Sequence, residues 1–227
     1  MPLPPSLRLV LAPPHRAARP FLLGGAAVAL LGGLLAGPWL FWPGVLFCGF
    51  CWFFFRDPER VTPLRPRILV APADGRVISV AEAVPPPELG LGSAPRWRIA
   101  IFLSLFDVHV NRAPCAGRVI RIAYTPGGFR DAADPAAETA NERNAIAIRL
   151  PDGREVAVVQ IAGLLARRIL CDVTEGQEIE AGERIGLIRF GSRTDLYLPP
   201  GVKPLVLEGQ RMVGGETVVA ELPTIRP

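Results

Sequence analysis

Lysine is almost absent. The chain of 227 residues has one, Lys203, beside 24 arginines. A pyridoxal-phosphate enzyme needs a lysine to hold its cofactor, and Lys203 sits in a Gly-Val-Lys-Pro turn with no cofactor pattern around it. Histidine is nearly as scarce, with His15 in a basic leader and His109 far from it. Of the four cysteines, Cys48 and Cys51 are close in sequence but lie in an apolar run, while Cys115 and Cys171 are isolated. No second close pair completes a zinc site, so no metal is expected, and free thiols fit a reducing compartment. A net charge of +4 is too small and too scattered for nucleic acid, though it suits an anionic lipid surface. There is no Gly-x-Ser-x-Gly elbow either.

Charge is missing altogether from residues 21–55. One membrane span needs about 20 apolar residues, so this run is long for one crossing and barely enough for two. Gly37-Pro38 and Pro43-Gly44 break it near the middle, and its second half is rich in Trp and Phe, with Trp favoured at membrane interfaces. The pattern predicts an apolar helical hairpin at 21–55 after a basic leader at 1–20, spanning twice or dipping in and returning. Arg8, Arg16 and Arg19 precede it and Arg56 and Arg60 follow, which places both ends on the cytoplasmic face of the cell membrane. The run is too long for a cleaved signal peptide. A buried hairpin of a soluble protein would carry a polar face that this one lacks.

Beyond Asp57-Pro58 the pattern changes. Short apolar or alternating runs stand between turn residues: 67–71, 76–81, 97–104, 118–123, 145–150, 155–161, 184–190, 196–198, 205–207 and 217–222. Runs of that length are strands more often than helices. Asp74-Gly75 and Asp152-Gly153 look like hairpin turns, and 131–143 is a short helix or a lid-like loop. Residues 173–185 repeat at 206–218 in the frame Val-x-Glu-Gly-Gln-x-apolar-x-x-Gly-Glu-x-apolar. The expected fold is mainly β: a barrel-sandwich-like strand-rich domain over 56–227 with short helices, plus the N-terminal apolar hairpin.

Between the two repeats stands Arg189-Phe-Gly-Ser-Arg193. A glycine before a serine accepts backbone conformations that other residues resist, which lets the hydroxyl of Ser192 approach the carbonyl of Gly191. Attack there gives an ester. Elimination then breaks the chain and leaves dehydroalanine, which hydrolyses to a pyruvoyl group, a ketone suited to amino-acid decarboxylation without pyridoxal phosphate. The serine needs a base, and His109, just after a strand-like run, is the one imidazole in the strand-rich region. Asp74, in Pro72-Ala-Asp-Gly-Arg-Val77, is a candidate to orient it; an ordinary Asp-Gly turn explains Asp74 equally well.

Phe54-Phe-Arg-Asp-Pro58, Pro72–Val77, Phe102-Leu-Ser-Leu-Phe-Asp-Val-His-Val-Asn-Arg-Ala-Pro114, Asn141-Glu-Arg-Asn144 and Arg189–Arg193 stand in this order along the chain. In these motifs residues 50–227 resemble the short-form phosphatidylserine decarboxylase proenzymes. The resemblance implies self-cleavage at Gly191-Ser192 into 1–191 and 192–227, with Ser192 becoming the pyruvoyl cofactor. Asp74 and His109 fall in the motifs that supply an acid and a histidine. The implied substrate is phosphatidylserine in the membrane, decarboxylated to phosphatidylethanolamine. Longer members carry a second histidine three residues after the first; here that position is Arg112, which cannot act as a base. Arg112, Arg130 and Arg193 are candidates for the headgroup phosphate. Two other readings remain at this point: a membrane-anchored serine hydrolase using Asp74, His109 and Ser192, and a carrier module of barrel-sandwich type modified on Lys203 or on nothing. The oligomeric state is open, a homo-oligomer included.

Overall fold

Gly37, at φ +68°, ends one apolar helix and begins the next. The computed structural model describes residues 10–164, 168–189 and 192–224. Its chain forms two compact units, Met1–Glu59 and Arg60–Pro227. In the first, α1 (Arg19–Ala36) and α2 (Pro38–Phe54) pack against each other through small residues. A Cβ on Gly44 would stand 2.5 Å from the Ala29 nitrogen, and one on Gly25 would stand 2.6 Å from Cys48 Sγ. Only glycine allows that approach. The ends of the hairpin are tied together, His15 N–H to Phe55 O at 2.7 Å and Asp57 N–H to Pro13 O at 3.0 Å. Both ends therefore lie on one side. Leu30, Leu34, Leu35, Trp39 and Leu46 face outward. The 18 residues of α1 reach about 27 Å, close to the hydrocarbon thickness of a bilayer. The helix Arg16–Ala36 is long and apolar enough to cross a membrane; Pro38–Phe54 is shorter.

The second unit is mainly β. Its eight-stranded sheet runs β12 (Arg211–Met212), β2 (Gly75–Ala83), β3 (Arg96–Leu103), β11 (Ser192–Tyr197), β7 (Glu155–Ala162), β6 (Arg143–Arg149), β5 (Gly117–Thr125), β9 (Glu178–Ile179). Two small sheets complete it: β1 (Ile68–Val70) with β13 (Val218–Glu221), and β4 (Val110–Arg112) with β10 (Arg184–Ile188) and β8 (Ile169–Cys171). Leu69, Ile99, Ile101, Ile146, Ile148, Val158, Ile185, Leu196 and Val219 form the main core between them. The short helix α3 (Ala137–Ala140) interrupts the segment between β5 and β6.

The repeat at 173–185 and 206–218 folds the same way twice. In each copy a glutamine side chain closes a turn on the backbone, Gln177 on Thr174 N–H and Gln210 on Leu207 N–H. Each copy then pairs with the start of a long strand, Ile179 opposite Gly117 and Met212 opposite Gly75. Those strand starts are themselves a second repeat: Ala71-Pro-Ala-Asp-Gly-Arg-Val-Ile78 and Ala113-Pro-Cys-Ala-Gly-Arg-Val-Ile120. A Cβ on Gly75 would meet Phe102 O at 2.1 Å, and one on Gly117 would meet Arg149 O at 2.4 Å. The domain is thus a duplicated unit with β11 and β7 side by side at its centre.

Asp152-Gly153 does close the β6–β7 hairpin. Asp74-Gly75 does not close one: it is the corner where the chain leaves the β1–β13 pair to enter the large sheet. Residues 205–207 form no strand, because the Leu207–Gln210 turn takes them; Pro204 alone makes a bridge to Ala220. Ser192 and Arg193 belong to β11 itself, which begins four residues before the expected run at 196–198.

Candidate active site

The site is built at one end of β11. Ser192 opens that strand, opposite Leu103 of β3 on one side and Ala162 of β7 on the other. Leu103 is the last residue of β3 and Ala162 the last of β7. On the far side of β3, Arg76 pairs with Phe102, so β2 begins at the same level, with Asp74 just before it. All four family motifs of the β unit therefore converge on this end, although they are spread from Pro72 to Arg193. Gly191 lies outside the described residues.

Ser192 is fully buried, and its Oγ has no hydrogen-bond partner among the described residues. An orphan buried hydroxyl costs stability, so its retention asks for a chemical reason. Thr194, two residues on and on the same face, is partnered: its Oγ1 accepts from Asn111 Nδ2 at 3.2 Å. Asn111 Oδ1 accepts from Gln160 Nε2 at 2.8 Å, and Gln160 Oε1 accepts from Asn144 Nδ2 at 2.9 Å. This buried amide chain joins β11, β4, β7 and β6 beneath Ser192.

His109 is also fully buried. It follows a turn in which Asp107 Oδ2 accepts from the N–H and Oγ–H of Ser104, at 2.9 and 2.7 Å. Its Nδ1 lies 3.0 Å from Asp107 O. A carbonyl only accepts, so Nδ1 carries the proton and Nε2 is the basic nitrogen of the neutral ring. The carbonyl of His109 takes the N–H of Ile188, and Ile188 packs on Ala162, the neighbour of Ser192.

Asp74 Oδ1 accepts from Gly214 N–H at 2.8 Å, and Oδ2 takes Arg60 Nη2 at 2.7 Å. In the duplicated corner the corresponding residue is Ala116, and that corner closes without a carboxylate. A carboxylate is therefore not a general requirement of this corner, although Asp74 does bond across it. Arg112 is buried on β4 and donates from Nη1 to Gly182 O at 2.9 Å. Arg130 is exposed. Arg193 is spent on Asp195: Nε and Nη2 each stand 2.6 Å from a carboxylate oxygen, with Glu138 Oε2 at 3.4 Å.

That pair belongs to a charged cluster on the opposite face of β11. Glu138, on α3, also holds Arg98 and accepts from Tyr197 Oη at 2.9 Å. Burial pushes the Asp195 carboxyl above its ordinary range, and Arg193 and then Arg98 draw it back. Burial, then Asp195 and Glu138, push the Tyr197 phenol up, so it stays a hydrogen-bond donor. Neither this cluster nor the amide chain is predicted from sequence patterning. Asn141–Asn144 is visible there as a motif without a task. Here Asn141 donates to Ala162 O and Arg130 O at 2.7 and 2.9 Å, which fixes the end of β7 beside Ser192.

A family model for phosphatidylserine decarboxylase matches residues 47–220. The chain belongs to that family. A phosphatidylserine decarboxylase proenzyme of Granulibacter bethesdensis is 66% identical over 217 residues, covering 96% of this chain and 88% of that protein. Proteins with the same description from Gluconacetobacter diazotrophicus and Gluconobacter oxydans are 62% and 59% identical, each covering 96% of this chain and 98% of the relative. The family match covers the strand-rich unit almost entirely and begins within α2. The family motifs thus sit where β2 and β11 begin and β3 and β7 end.

Proposed function

We propose that this chain decarboxylates phosphatidylserine to phosphatidylethanolamine and carbon dioxide, using a pyruvoyl group that it makes from Ser192. The observation that carries this reading is the Oγ of Ser192, without a hydrogen-bond partner among the described residues and fully buried at the start of the central strand. A hydroxyl kept dry and without a partner is a ready nucleophile or a precursor of another group, and a poor structural one. Its oxygen attacks the Gly191 carbonyl carbon while its proton passes to a base, and the peptide bond becomes an ester. Loss of the α proton of residue 192 then expels the Gly191 carboxylate, and water replaces the nitrogen as ammonia. The ketone left on residue 192 supplies the sink for the electron pair released as carbon dioxide departs.

His109 supports both stages: Nε2 is the basic nitrogen, so it takes the serine proton and later holds one for the substrate α carbon. Asp74 supplies the acid of the site; its carboxylate also ties the corner to Gly214 and Arg60, but the duplicated corner at Ala116 forms without one. The cut yields 1–191, which carries the hairpin, and 192–227, which begins with the ketone. The hairpin enters the cell membrane from the cytoplasmic face, where its flanking arginines remain.

Intact mass of the purified protein tests the reading. Two chains, with the smaller blocked at its first residue and carrying a ketone, are expected. A single unmodified chain that hydrolyses esters identifies a serine hydrolase, and an adduct on Lys203 identifies a carrier; either overturns the proposal. His109→Ala should slow self-cleavage or turnover by about 100-fold or more, the usual contribution of a positioned acid–base group. Parental rates of both, with the pH profile unmoved, would leave His109 as a structural residue.

A further inference from the structure

The two sheet neighbours of Ser192 each run on into an exposed apolar side chain. Three residues past Leu103, Phe106 stands at the tip of the 104–107 turn and is 74% exposed; two residues past Ala162, Leu164 is 65% exposed. Neither side chain serves the core. Solvating a phenylalanine and a leucine on the segments that follow the two neighbours of Ser192 is unfavourable in water and suits an apolar medium. Two arginines, Arg130 and Arg168, are exposed near this end, although Arg130 is followed by the exposed Asp131, whose Oδ1 accepts from Ala133 N–H at 3.0 Å. Arg130 stands beside Asn141, which holds the end of β7, and Arg168 precedes the Ile169 that packs on Ala162 and Ile188. The carboxylate of Asp107, on the same turn as Phe106, is already paired with Arg211 at 3.0 Å.

We propose that the Ser192 end of the β unit is itself a membrane-docking surface, in which Phe106 and Leu164 enter the acyl region while Arg130 and Arg168 meet the phosphates of an anionic lipid layer. The inference rests on the decarboxylase reading and deepens it. A lipid headgroup reaches a buried Ser192 only if this end faces the bilayer, and apolar side chains flanked by arginines are what an anionic interface accepts. The hairpin tethers the chain; this surface orients its site. A second apolar patch, with Leu205 and Leu207 exposed beside Trp97 and Lys203, lies toward the opposite end of β3 and serves as the internal control.

The test uses the full chain in vesicles of phosphatidylcholine and phosphatidylglycerol, neither of which is the substrate. A benzophenone phenylalanine analogue replaces Phe106, Leu164 or Leu207 in turn, and the sample is irradiated. Lipid adducts from positions 106 and 164, and few from 207, are expected. Adducts from 207 alone, no lipid adducts from 106 and 164, or chain-to-chain adducts there in their place, would overturn the proposal. In parallel, Phe106→Ser with Leu164→Ser should lower kcat/KM on vesicular phosphatidylserine by about tenfold or more and leave kcat/KM on monomeric short-chain phosphatidylserine unchanged. An equal loss on both substrates would place these residues in the site and overturn docking. Cross-linking requires no turnover, so a chain that binds lipid through 106 and 164 without releasing carbon dioxide refutes the decarboxylase reading and leaves the docking surface standing.

Discussion

Ser192→Ala should leave one chain of 227 residues with decarboxylase activity at background, a loss of at least about 10⁶-fold. The expected size follows from where the oxygen stands. In the proposed reaction it is the atom that attacks the Gly191 carbonyl and the atom whose later departure leads to the ketone. Without it neither the cut nor the electron sink forms, and the single lysine offers no replacement. The fold should not suffer. Alanine removes a buried hydroxyl that has no partner among the described residues, so the desolvation cost of that group disappears with it. The variant should therefore unfold at the same temperature as the uncut parent or slightly higher. Activity lost together with stability would mean that Ser192 is a packing residue. An active Ser192→Ala chain, cut or uncut, would refute the pyruvoyl mechanism outright.

The parts of the fold legible in the sequence are those with a strong local pattern. The apolar run at 21–55 is too long and too uniformly apolar for a surface helix, and its Gly37 break is where the chain turns. Strands with five or more alternating or apolar residues, such as 155–161, are equally plain. The strands without such a pattern are β4, β8, β9 and β12, each two or three residues long and formed by partners distant in sequence. Val110–Arg112 is a strand because Arg184–Ile188 lies beside it, and nothing between Val110 and Arg112 says so. The Asp74-Gly75 pair shows the converse. Its local signal is that of a hairpin, but Gly75 is needed for the close approach to Phe102 O, and the corner leads to a different sheet.

The site divides in the same way. Ser192 and His109 are singled out by residue chemistry and by motifs, because serines and imidazoles are few enough here to weigh one at a time; Asp74 is one of 21 acidic residues and stands out only by its motif. What surrounds them is ordinary in composition. Asn111, Gln160 and Asn144 are amides like many others until β4 is laid over β7 and β6, and then each becomes the partner of the next. Arg193 looks like a phosphate ligand beside Ser192. The period of a strand turns it to the opposite face, toward Asp195 two residues on. The corner repeat that sets Asp74 against Ala116 is present in the chain throughout. Its meaning depends on knowing that both corners close alike.

That opposite face carries the second large expected effect. Asp195→Ala should destabilise the β unit by about 3–5 kcal/mol, because it strands a buried guanidinium that, among the described residues, keeps only the Glu138 carboxylate, at 3.4 Å. A domain of this size is stable by about 5–15 kcal/mol, so the variant stands near the threshold of folding. Asp195→Asn keeps an acceptor for one of the two short bonds and should cost less. Glu138→Gln should cost less again, since Glu138 is partly exposed and its carbonyl oxygen still accepts from Tyr197. If the chain is cut as proposed, the same cluster should hold β11 afterwards. The proposed cut makes residue 192 a chain end, and ends fray unless they are tied down. β11 stays in register through its ladders to β3 and β7 and through Arg193 and Asp195, directly behind the reacting residue. Cleaved Asp195→Ala protein should accordingly lose activity on warming well before the parent does. Urea unfolding of the three variants, followed alongside activity, decides the matter. If Asp195→Ala unfolds like the parent and loses only turnover, the carboxylate acts in the chemistry, and its role as a brace for the strand is refuted.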